Sequence, residues 1–450
     1  MAEIFLYQAL AAVIGTVLTV SGLWRSGKET FSLGSFCLVI TWWVLIAPVF
    51  LDVIFGMPDY TYWPGFFEAS REPLVIRVYA VAIVIIPLLL LMGQRYTAFK
   101  ISERKEIRTL TKRVGEFGKN YQSIAVAILI LPLAMFFFAP DYSFYAKYAI
   151  QSRNIRSQAS DVQWFHALLQ LACHVGVLAS ALILVQSKRL LVASLALLPV
   201  MFFFAWIIGK RSGVAEIAAL VFLAVSVRGK ISRAGLVSLA AGIALLFGLY
   251  SAWYQAAARG ISVETVGWSD FYEGVRIDFF RDDTMKLAIC RVVKTDCSPI
   301  LDFFGESAWI YSTLPIPRSS WPEKPISYGM SVACAARDYP RQQLSWSMTT
   351  SVFDEVVSNF GLSGIFIGPI MLNFLAWRGA RKKNLELCLV TVVVLVLFMF
   401  QHLSAWMPIF LVWWVMTSTY PKIGSRRGKF TPQAPIPPPS TSTPKSVSTS

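Results

Sequence analysis

LVIRVYAVAIVIIPLLLLMG, residues 74–93, is an apolar run in which Arg77 is the only charged residue. As a helix rising about 1.5 Å per residue, it is long enough to cross the roughly 30 Å hydrocarbon core of a bilayer. The whole chain has the same character, with 450 residues, 56% hydrophobic and only 15% charged. A soluble protein of this composition would expose a large apolar surface to water, so the sequence predicts an all-α, polytopic integral membrane protein.

Other apolar runs of comparable length lie on both sides of this stretch. Together they predict about eleven transmembrane helices, some of them short or tilted. The runs are 4–23, 31–55, 74–93, 121–140, 163–186, 190–208, 213–227, 235–255, 359–377, 385–402 and 404–420.

Lysine and arginine indicate the orientation of these spans. The segment 94–120 carries eight basic residues and is therefore predicted to lie in the cytoplasm, because short basic loops stay on that side. Counting spans from it places the N-terminus and the loops 56–73, 141–162 and 256–358 outside, and the C-terminus inside. The net charge of +15 then reports topology, and we expect no nucleic-acid partner.

Four regions follow from this topology. Residues 1–255 form the first eight spans, 256–358 a large outer loop, and 359–420 the last three spans. Residues 421–450 are rich in Pro, Ser and Thr and cannot bury a core, so we expect a disordered cytoplasmic tail.

The turn GKRSG, residues 209–213, departs from the charge rule because Lys210 and Arg211 fall on the outer side. One interpretation is that 190–227 is a re-entrant or differently divided segment. The other is that both cations bind an anion such as a lipid phosphate at the outer surface. Glu216 lies about one turn further on, where it either pairs with these cations or belongs to a site.

Polar residues in and near the outer loop are expected to be solvated. Apolar residues at helical intervals predict one amphipathic helix over 268–293, lying on the bilayer or capping the bundle, with Asp282 and Asp283 in solvent. These adjacent carboxylates are also a weak metal signal. Asp52 and Arg77 lie near span ends and are expected to snorkel.

The six cysteines divide by location. The three within spans are predicted to be small core residues, and the three in the outer loop permit one disulfide in an oxidising compartment. Cys290 and Cys297 can pair only if the helix between them ends near Lys294. No Cys/His spacing indicates zinc, and we expect no metal. The cysteines are Cys37, Cys173 and Cys388 in spans, and Cys290, Cys297 and Cys334 in the loop.

Three short motifs accompany this topology. They are PRSSWPEKP at 317–325, whose prolines stiffen an extended loop, the pattern Glu355-x-x-x-Asn359-Phe360-Gly361, and GKRSG at 209–213. With them the chain resembles the bacterial O-antigen polymerase family, the oligosaccharide repeat-unit polymerases. The resemblance covers the whole chain in topology and about thirty residues in motif.

The resemblance implies a glycosyltransferase of the bacterial inner membrane whose outer loop is periplasmic. Such an enzyme transfers a glycan from undecaprenyl pyrophosphate to a sugar of another lipid-linked repeat unit, building O-antigen, capsule or exopolysaccharide. It uses neither a metal nor another cofactor. Its implied partners are the lipid-linked substrates, the bilayer, a chain-length regulator and a flippase of the same pathway.

This chemistry needs cations where charge grows on the departing pyrophosphate. Arg211 and Arg318 are the predicted ligands because Arg contacts phosphate in a bidentate manner, with Lys210 and Lys324 in support. Trp321 either stacks on a sugar ring or anchors at the membrane interface. Weaker candidates for the cationic role are Arg281, Arg337 and Arg341.

The acceptor hydroxyl must also lose a proton, which requires a carboxylate or an imidazole. Glu355 is the favoured base, and the alternative is that it only caps the start of a helix. His402 and His166 are further candidates near outer ends of spans.

Two other functions remain open at this point. An O-antigen ligase would transfer a finished polymer, but it would depend on an outer-loop histidine, and residues 256–358 contain none. A flippase or exporter would move the lipid-linked saccharide without chemistry, and it would need cations along the crossing route.

Overall fold

The computed structural model describes most of the chain. The described residues are 2–26, 30–100, 123–148, 158–187, 190–209, 268–294, 297–313, 321, 323–341, 343–344, 346–381, 385–403 and 407–419, with nine single positions between 214 and 253. Within them the structure is almost entirely helical, and one short antiparallel pair of strands joins Thr30–Ser32 to Ala98–Lys100.

The first half of the described chain contains eight helices. They are α1 (Ala2–Ser26), α2 (Leu33–Thr41), α3 (Ala47–Phe55), α4 (Pro64–Arg71), α5 (Pro73–Thr97), α6 (Ser123–Phe136), α7 (Ser160–Gln186) and α8 (Leu190–Ile208). A π-helical turn, Trp42–Ile46, joins α2 to α3.

The second half contains eight more. They are α9 (Trp268–Phe279), α10 (Asp282–Val293), α11 (Glu306–Ser312), α12 (Tyr328–Ala336), α13 (Val352–Phe360), α14 (Gly364–Ala380), α15 (Leu385–Phe400) and α16 (Met407–Thr419). A 3-10 turn, Gly361–Ser363, joins α13 to α14.

Four helices of the described chain are long and apolar enough to cross a membrane. They are Leu6–Arg25, Leu33–Phe55, Pro73–Thr97 and Val352–Ala380. Shorter apolar helices lie in four further predicted spans, at Ser123–Phe136, Leu195–Ile208, Val390–Phe400 and Phe410–Thr419. The helical membrane-protein class is therefore supported, and the number eleven stays a prediction. The tail and most of 213–227 and 235–255 lie outside the described residues.

The core forms where α1, α2, α5 and α14 pack together. A Cβ atom at Gly15 would lie 2.7 Å from the carbonyl oxygen of Ile83, so only glycine permits this approach of α1 to α5. On the other side of α5, Asn373 Nδ2 donates to the carbonyl of Leu89 at 2.9 Å. The three cysteines predicted to be core residues of the spans are all buried, which confirms that prediction.

At the π-helical turn, backbone carbonyl groups of the second span accept hydrogen bonds from residues outside that span. The backbone N–H of Arg281 donates to the Val44 oxygen at 2.9 Å, and the Tyr79 hydroxyl donates to the Leu45 oxygen at 2.5 Å. Turns of this kind interrupt the helical bonding and are frequent at functional sites. Here the interruption attaches the segment 268–293, predicted to lie outside, to the interior of the second span.

The outer segment 268–293 differs from the prediction. It is two helices, α9 and α10, separated at Phe280 and Arg281, where one continuous helix was predicted, and α10 packs into the core. Asp282 and Asp283 are buried and not solvated, and Asp52 is buried instead of snorkelling. The prediction failed because hydropathy assigns carboxylates to water, whereas here Arg276 compensates all three.

Candidate functional site

Five charged side chains form a buried cluster where the segment 268–293 meets α3. The guanidinium of Arg276 contacts Asp52 and Asp282, and its Nη2 lies 2.9 Å from Asp283 Oδ1. Lys286 Nζ lies 2.9 Å from Asp282 Oδ2. The carboxylates come from α3 and α10 and the cations from α9 and α10, so the cluster ties both outer helices to the second span.

Two tyrosine hydroxyls donate hydrogen bonds to carboxylates of this cluster. Tyr60 donates to Asp283 Oδ1 at 2.6 Å, and Tyr272 donates to Asp52 Oδ1 at 2.7 Å. The two cations and three carboxylates leave one formal negative charge in excess. Burial raises the pKa of Asp282 to about 6, against the opposing effect of Arg276. Asp282 therefore binds a proton at a higher pH than an ordinary aspartate does.

The N-terminus of α13 is fixed by a capping box. The side chain of Ser351 accepts from the backbone N–H of Asp354, and Asp354 Oδ1 accepts from the backbone N–H of Ser351 at 2.7 Å. Thr284 of α10 donates to the same carboxylate oxygen at 3.2 Å. Because Asp354 makes these bonds, the cap does not account for the adjacent Glu355.

Glu355 faces a neighbouring helix of the outer loop. Its carboxylate is only 9% exposed and accepts a hydrogen bond from the Tyr311 hydroxyl on α11. Burial, followed by the Glu355 charge, raises the pKa of Tyr311, so this hydroxyl stays protonated and donates. Tyr311 is half-buried and forms the more accessible part of the pair.

Asn359 and Gly361, which share a motif with Glu355, have structural roles at the same place. Asn359 Nδ2 donates to Ser307 Oγ at 2.8 Å and to the Glu355 carbonyl at 2.7 Å, which joins α13 to α11. Gly361 has φ +64°, a conformation that favours glycine, and there α13 gives way to the 3-10 turn. The motif is therefore a helix end that positions one carboxylate.

The described part of PRSSWPEKP attaches to the C-terminal end of α11. Lys324 is 7% exposed, and its Nζ donates to the carbonyl oxygen of Thr313 at 2.8 Å. Its backbone N–H donates to the Trp321 carbonyl at 3.0 Å, which closes a tight turn, and the Trp321 side chain is half-buried. The two sequence motifs thus meet at one short helix.

His402 lies between α15 and α16, at an end predicted to be the outer one. A Cβ atom at Gly329 would lie 3.0 Å from His402 Nδ1, so α12 approaches the imidazole closely. Of the two candidate bases, Glu355 contacts Tyr311, whereas His402 lies against Gly329 of α12.

His166 belongs to a different environment. It is buried on α7 among residues of α7, α8 and the 143–145 turn, with its Nδ1 3.3 Å from the Tyr145 hydroxyl. Its ring also packs edge-on against Phe144. The structure gives it aromatic packing partners and does not bring it to Glu355.

The cationic candidates have mixed outcomes. Three of these cations lie outside the described residues, and so does the nearby Glu216. The three are Lys210, Arg211 and Arg318. The guanidinium of Arg281 is buried and donates to backbone carbonyls, among them that of Phe280. Arg341 pairs with Glu306 at 2.6 Å and with Asp302.

Arg337 stacks on an indole ring. Its guanidinium carbon lies 4.3 Å from the centroid of Trp63, so it already has an aromatic partner.

The arrangement around α11 suits proton transfer. A buried carboxylate with a tyrosine hydroxyl between it and the surface can accept a proton from a substrate hydroxyl placed against that tyrosine. No family model, curated protein or solved structure matches this chain.

Proposed function

We propose that this protein polymerises lipid-linked oligosaccharide repeat units at the periplasmic face of a bacterial inner membrane. The observation that supports the proposal best is that two of the three motifs of the family resemblance meet at α11. Tyr311 contacts Glu355 of the second motif, and Thr313 accepts from Lys324 of the first. Residues separated by thirty positions in sequence thereby belong to one site.

The proposed reaction transfers a growing glycan from undecaprenyl pyrophosphate to a hydroxyl of a second lipid-linked unit. The bond between the anomeric carbon and the pyrophosphate oxygen breaks, and a bond to the acceptor oxygen forms. Nucleotide sugars are not available outside the cytoplasm, so a transfer there needs a lipid-activated donor. The leaving group is a diphosphate at the membrane surface.

In this proposal Glu355 accepts the proton of the acceptor hydroxyl through Tyr311. The Tyr311 proton moves to Glu355 as the Tyr311 oxygen takes the proton of the acceptor hydroxyl. Burial keeps competing water away from the carboxylate. Arg211 and Arg318 would hold the diphosphate, since bidentate Arg contacts suit phosphate oxygens. Lys324, already bonded to Thr313, has a positioning role for the loop that carries Arg318.

The test is Glu355→Gln, which keeps the shape of the side chain and removes the base. In a strain that depends on this protein for its polymer, we expect chain extension to fall ~10²-fold or more. Glu323→Gln is the matched control, because Glu323 is exposed on the PRSSWPEKP loop and should leave extension unchanged. Normal chain length in Glu355→Gln would refute the base assignment.

The location and size of the accumulated glycan separate the other functions. Loss of a polymerase leaves single repeat units on lipid at the outer surface. Loss of a flippase leaves them on the cytoplasmic side, and loss of a ligase leaves long polymer attached to the lipid carrier. Arg211→Ala and Arg318→Ala should reproduce the first of these outcomes while the protein still inserts. Normal extension in both would refute the proposed diphosphate ligands.

A further inference from the structure

The C-terminal end of α10 brings two cysteines of the outer segment together. Cys290 lies in the last turn of the helix, which ends at Val293, and Lys294 leaves it with extended dihedrals of φ −98° and ψ 121°. The chain therefore turns back instead of continuing as helix toward Cys297. The two Sγ atoms and a carboxylate oxygen of Glu68 all lie within 4.8 Å of one another.

An ion pair fixes this turn against α4. Lys294 Nζ lies 2.7 Å from Glu68 Oε1 and 3.8 Å from Glu72 Oε2. Cys297 Sγ contacts the same Glu68 oxygen at 3.8 Å. Lys294 and Cys297 are thus attached to one carboxylate, which keeps the half-buried Cys297 beside the buried Cys290 without a covalent link.

Two thiols and a carboxylate could in principle hold a soft metal ion, but the surroundings favour another pairing. The Glu68 oxygen that would serve as a ligand already accepts from Lys294, and the ammonium would lie beside the metal ion and repel it. Three protein ligands are also fewer than the four of structural zinc sites. A disulfide needs the two sulfurs to approach from at most 4.8 Å to about 2.05 Å.

We propose that Cys290 and Cys297 form a disulfide that closes the C-terminal end of α10 after the outer segment reaches the oxidising side of the membrane. The oxidant is the disulfide of a periplasmic thiol oxidoreductase. Cys297, the more exposed thiol, attacks that disulfide and forms a mixed disulfide; Cys290 then attacks the Cys297 sulfur and releases the second carrier thiol. Two protein thiols lose two electrons and two protons, and the carrier becomes a dithiol.

The consequence concerns the buried charge cluster. α10 carries Asp282 and Asp283 at one end and Cys290 near the other, so the disulfide would pin the helix that pairs with Arg276. The proposal rests on the predicted outer position of 256–358, because thiols in the cytoplasm stay reduced. It does not rest on the glycosyltransferase assignment.

The test is a thiol count on the full chain. Membranes are acid-quenched, denatured and treated with a maleimide-polyethylene glycol, which adds one gel shift per thiol. With six cysteines in the sequence, we expect four labels before reduction and six after it. Cys290→Ser and Cys297→Ser should each give five labels under both conditions, because either substitution releases the other thiol.

Cys334→Ser is the matched control, since Cys334 is a buried cysteine of the same loop. It should give three labels before reduction and five after it. Six labels on the unreduced wild-type chain would overturn the proposal. Five labels on unreduced Cys334→Ser would overturn it as well, because Cys290 and Cys297 would then both be free thiols. A metal ion bound by these thiols would be released in the acid quench, so a metal site would also give six labels and would overturn the proposal. The number of labels on the wild-type chain tests the proposal even if a variant fails to fold.

Discussion

Arg276 and Asp283 form an ion pair of 2.9 Å in which both side chains are almost completely buried. Because Arg276 also contacts Asp52 and Asp282, removing it would leave three carboxylates around an empty position. Breaking a buried pair from one side typically costs about 3–5 kcal/mol. We therefore expect Arg276→Met to lower the free energy of unfolding by about that amount, measured by thermal or denaturant unfolding in detergent.

The matched control is Arg71→Met, which removes an arginine from a more exposed pair. Arg71 lies 3.7 Å from Asp59, whose side chain is 75% exposed. Exposed pairs contribute about 0–1 kcal/mol, so this variant should unfold nearly as the wild type does. Equal stability of the two variants would contradict a stabilising role for the buried cluster.

The same cluster predicts a dependence of stability on pH. Burial raises the pKa of Asp282 to about 6, whereas an unfolded Asp has a pKa of about 3.9. The folded state therefore favours the protonated form, and the resulting stabilisation is complete below about pH 4 and lost as the pH rises through 6. Its size is on the order of 3 kcal/mol.

Asp282→Asn isolates this contribution, because the amide is neutral at every pH. Melting temperatures in detergent between pH 4 and 8 should fall less steeply with pH in the variant than in the wild type. Identical slopes for the two proteins would show that another group titrates in this range.

Hydropathy and charge predicted the elements of this fold better than they predicted its interior. The apolar run 190–208 became α8 with the same bounds, and Gly209 adopts a positive φ where the turn was expected. Both features depend on local sequence. The break at Phe280 and Arg281 does not, because its cause is the Val44 carbonyl, far away in the chain.

The candidate site shows the same limit. Glu355 was identified from a motif, and it bonds to Tyr311 while Lys324 of the PRSSWPEKP loop bonds to Thr313, both at the C-terminal end of α11. Tyr311 was missed because a tyrosine in an outer loop has no spacing that identifies it. A signal for the buried cluster did exist: Asp282 and Lys286 are four residues apart, the spacing of an ion pair on one helix face.

Close packing at the site makes Gly329 sensitive to one methyl group. A Cβ atom there would lie 2.6 Å from the Met348 carbonyl oxygen and 3.0 Å from His402 Nδ1. We expect Gly329→Ala to lower the free energy of unfolding by about 1–3 kcal/mol and to reduce chain extension, because α12 must move away. Thermal unfolding in detergent and polymer length measure the two effects.

Gly242→Ala is the control for that change. Among the residues that the structure describes, none lies within 4 Å of a Cβ atom at Gly242, and alanine is the better helix former. This variant should be unchanged or slightly more stable. If Gly329→Ala behaves in the same way, the close approach to His402 does not constrain the fold.

Topology has a direct test in cysteine labelling from outside the cell. In a chain whose native cysteines are replaced, a membrane-impermeant maleimide should label Glu323→Cys, since Glu323 is exposed on the predicted outer loop. Ser212→Cys, in the predicted outer turn, should also react, whereas Lys105→Cys should react only after the membrane is opened. The opposite pattern would invert the predicted orientation.

Lys324 distinguishes a positioning role from binding of the diphosphate. Its Nζ donates to the Thr313 carbonyl at 2.8 Å, a bond that needs a donor and not a charge. We therefore expect Lys324→Gln, which retains a donor, to keep chain extension within a few-fold of wild type, and Lys324→Met to lose most of it. Arg318 serves as the comparison. A diphosphate ligand needs its charge, so Arg318→Gln and Arg318→Met should both lose chain extension. If Lys324→Gln and Lys324→Met lose extension equally, then the charge of Lys324 acts on the substrate and its bond to Thr313 is incidental.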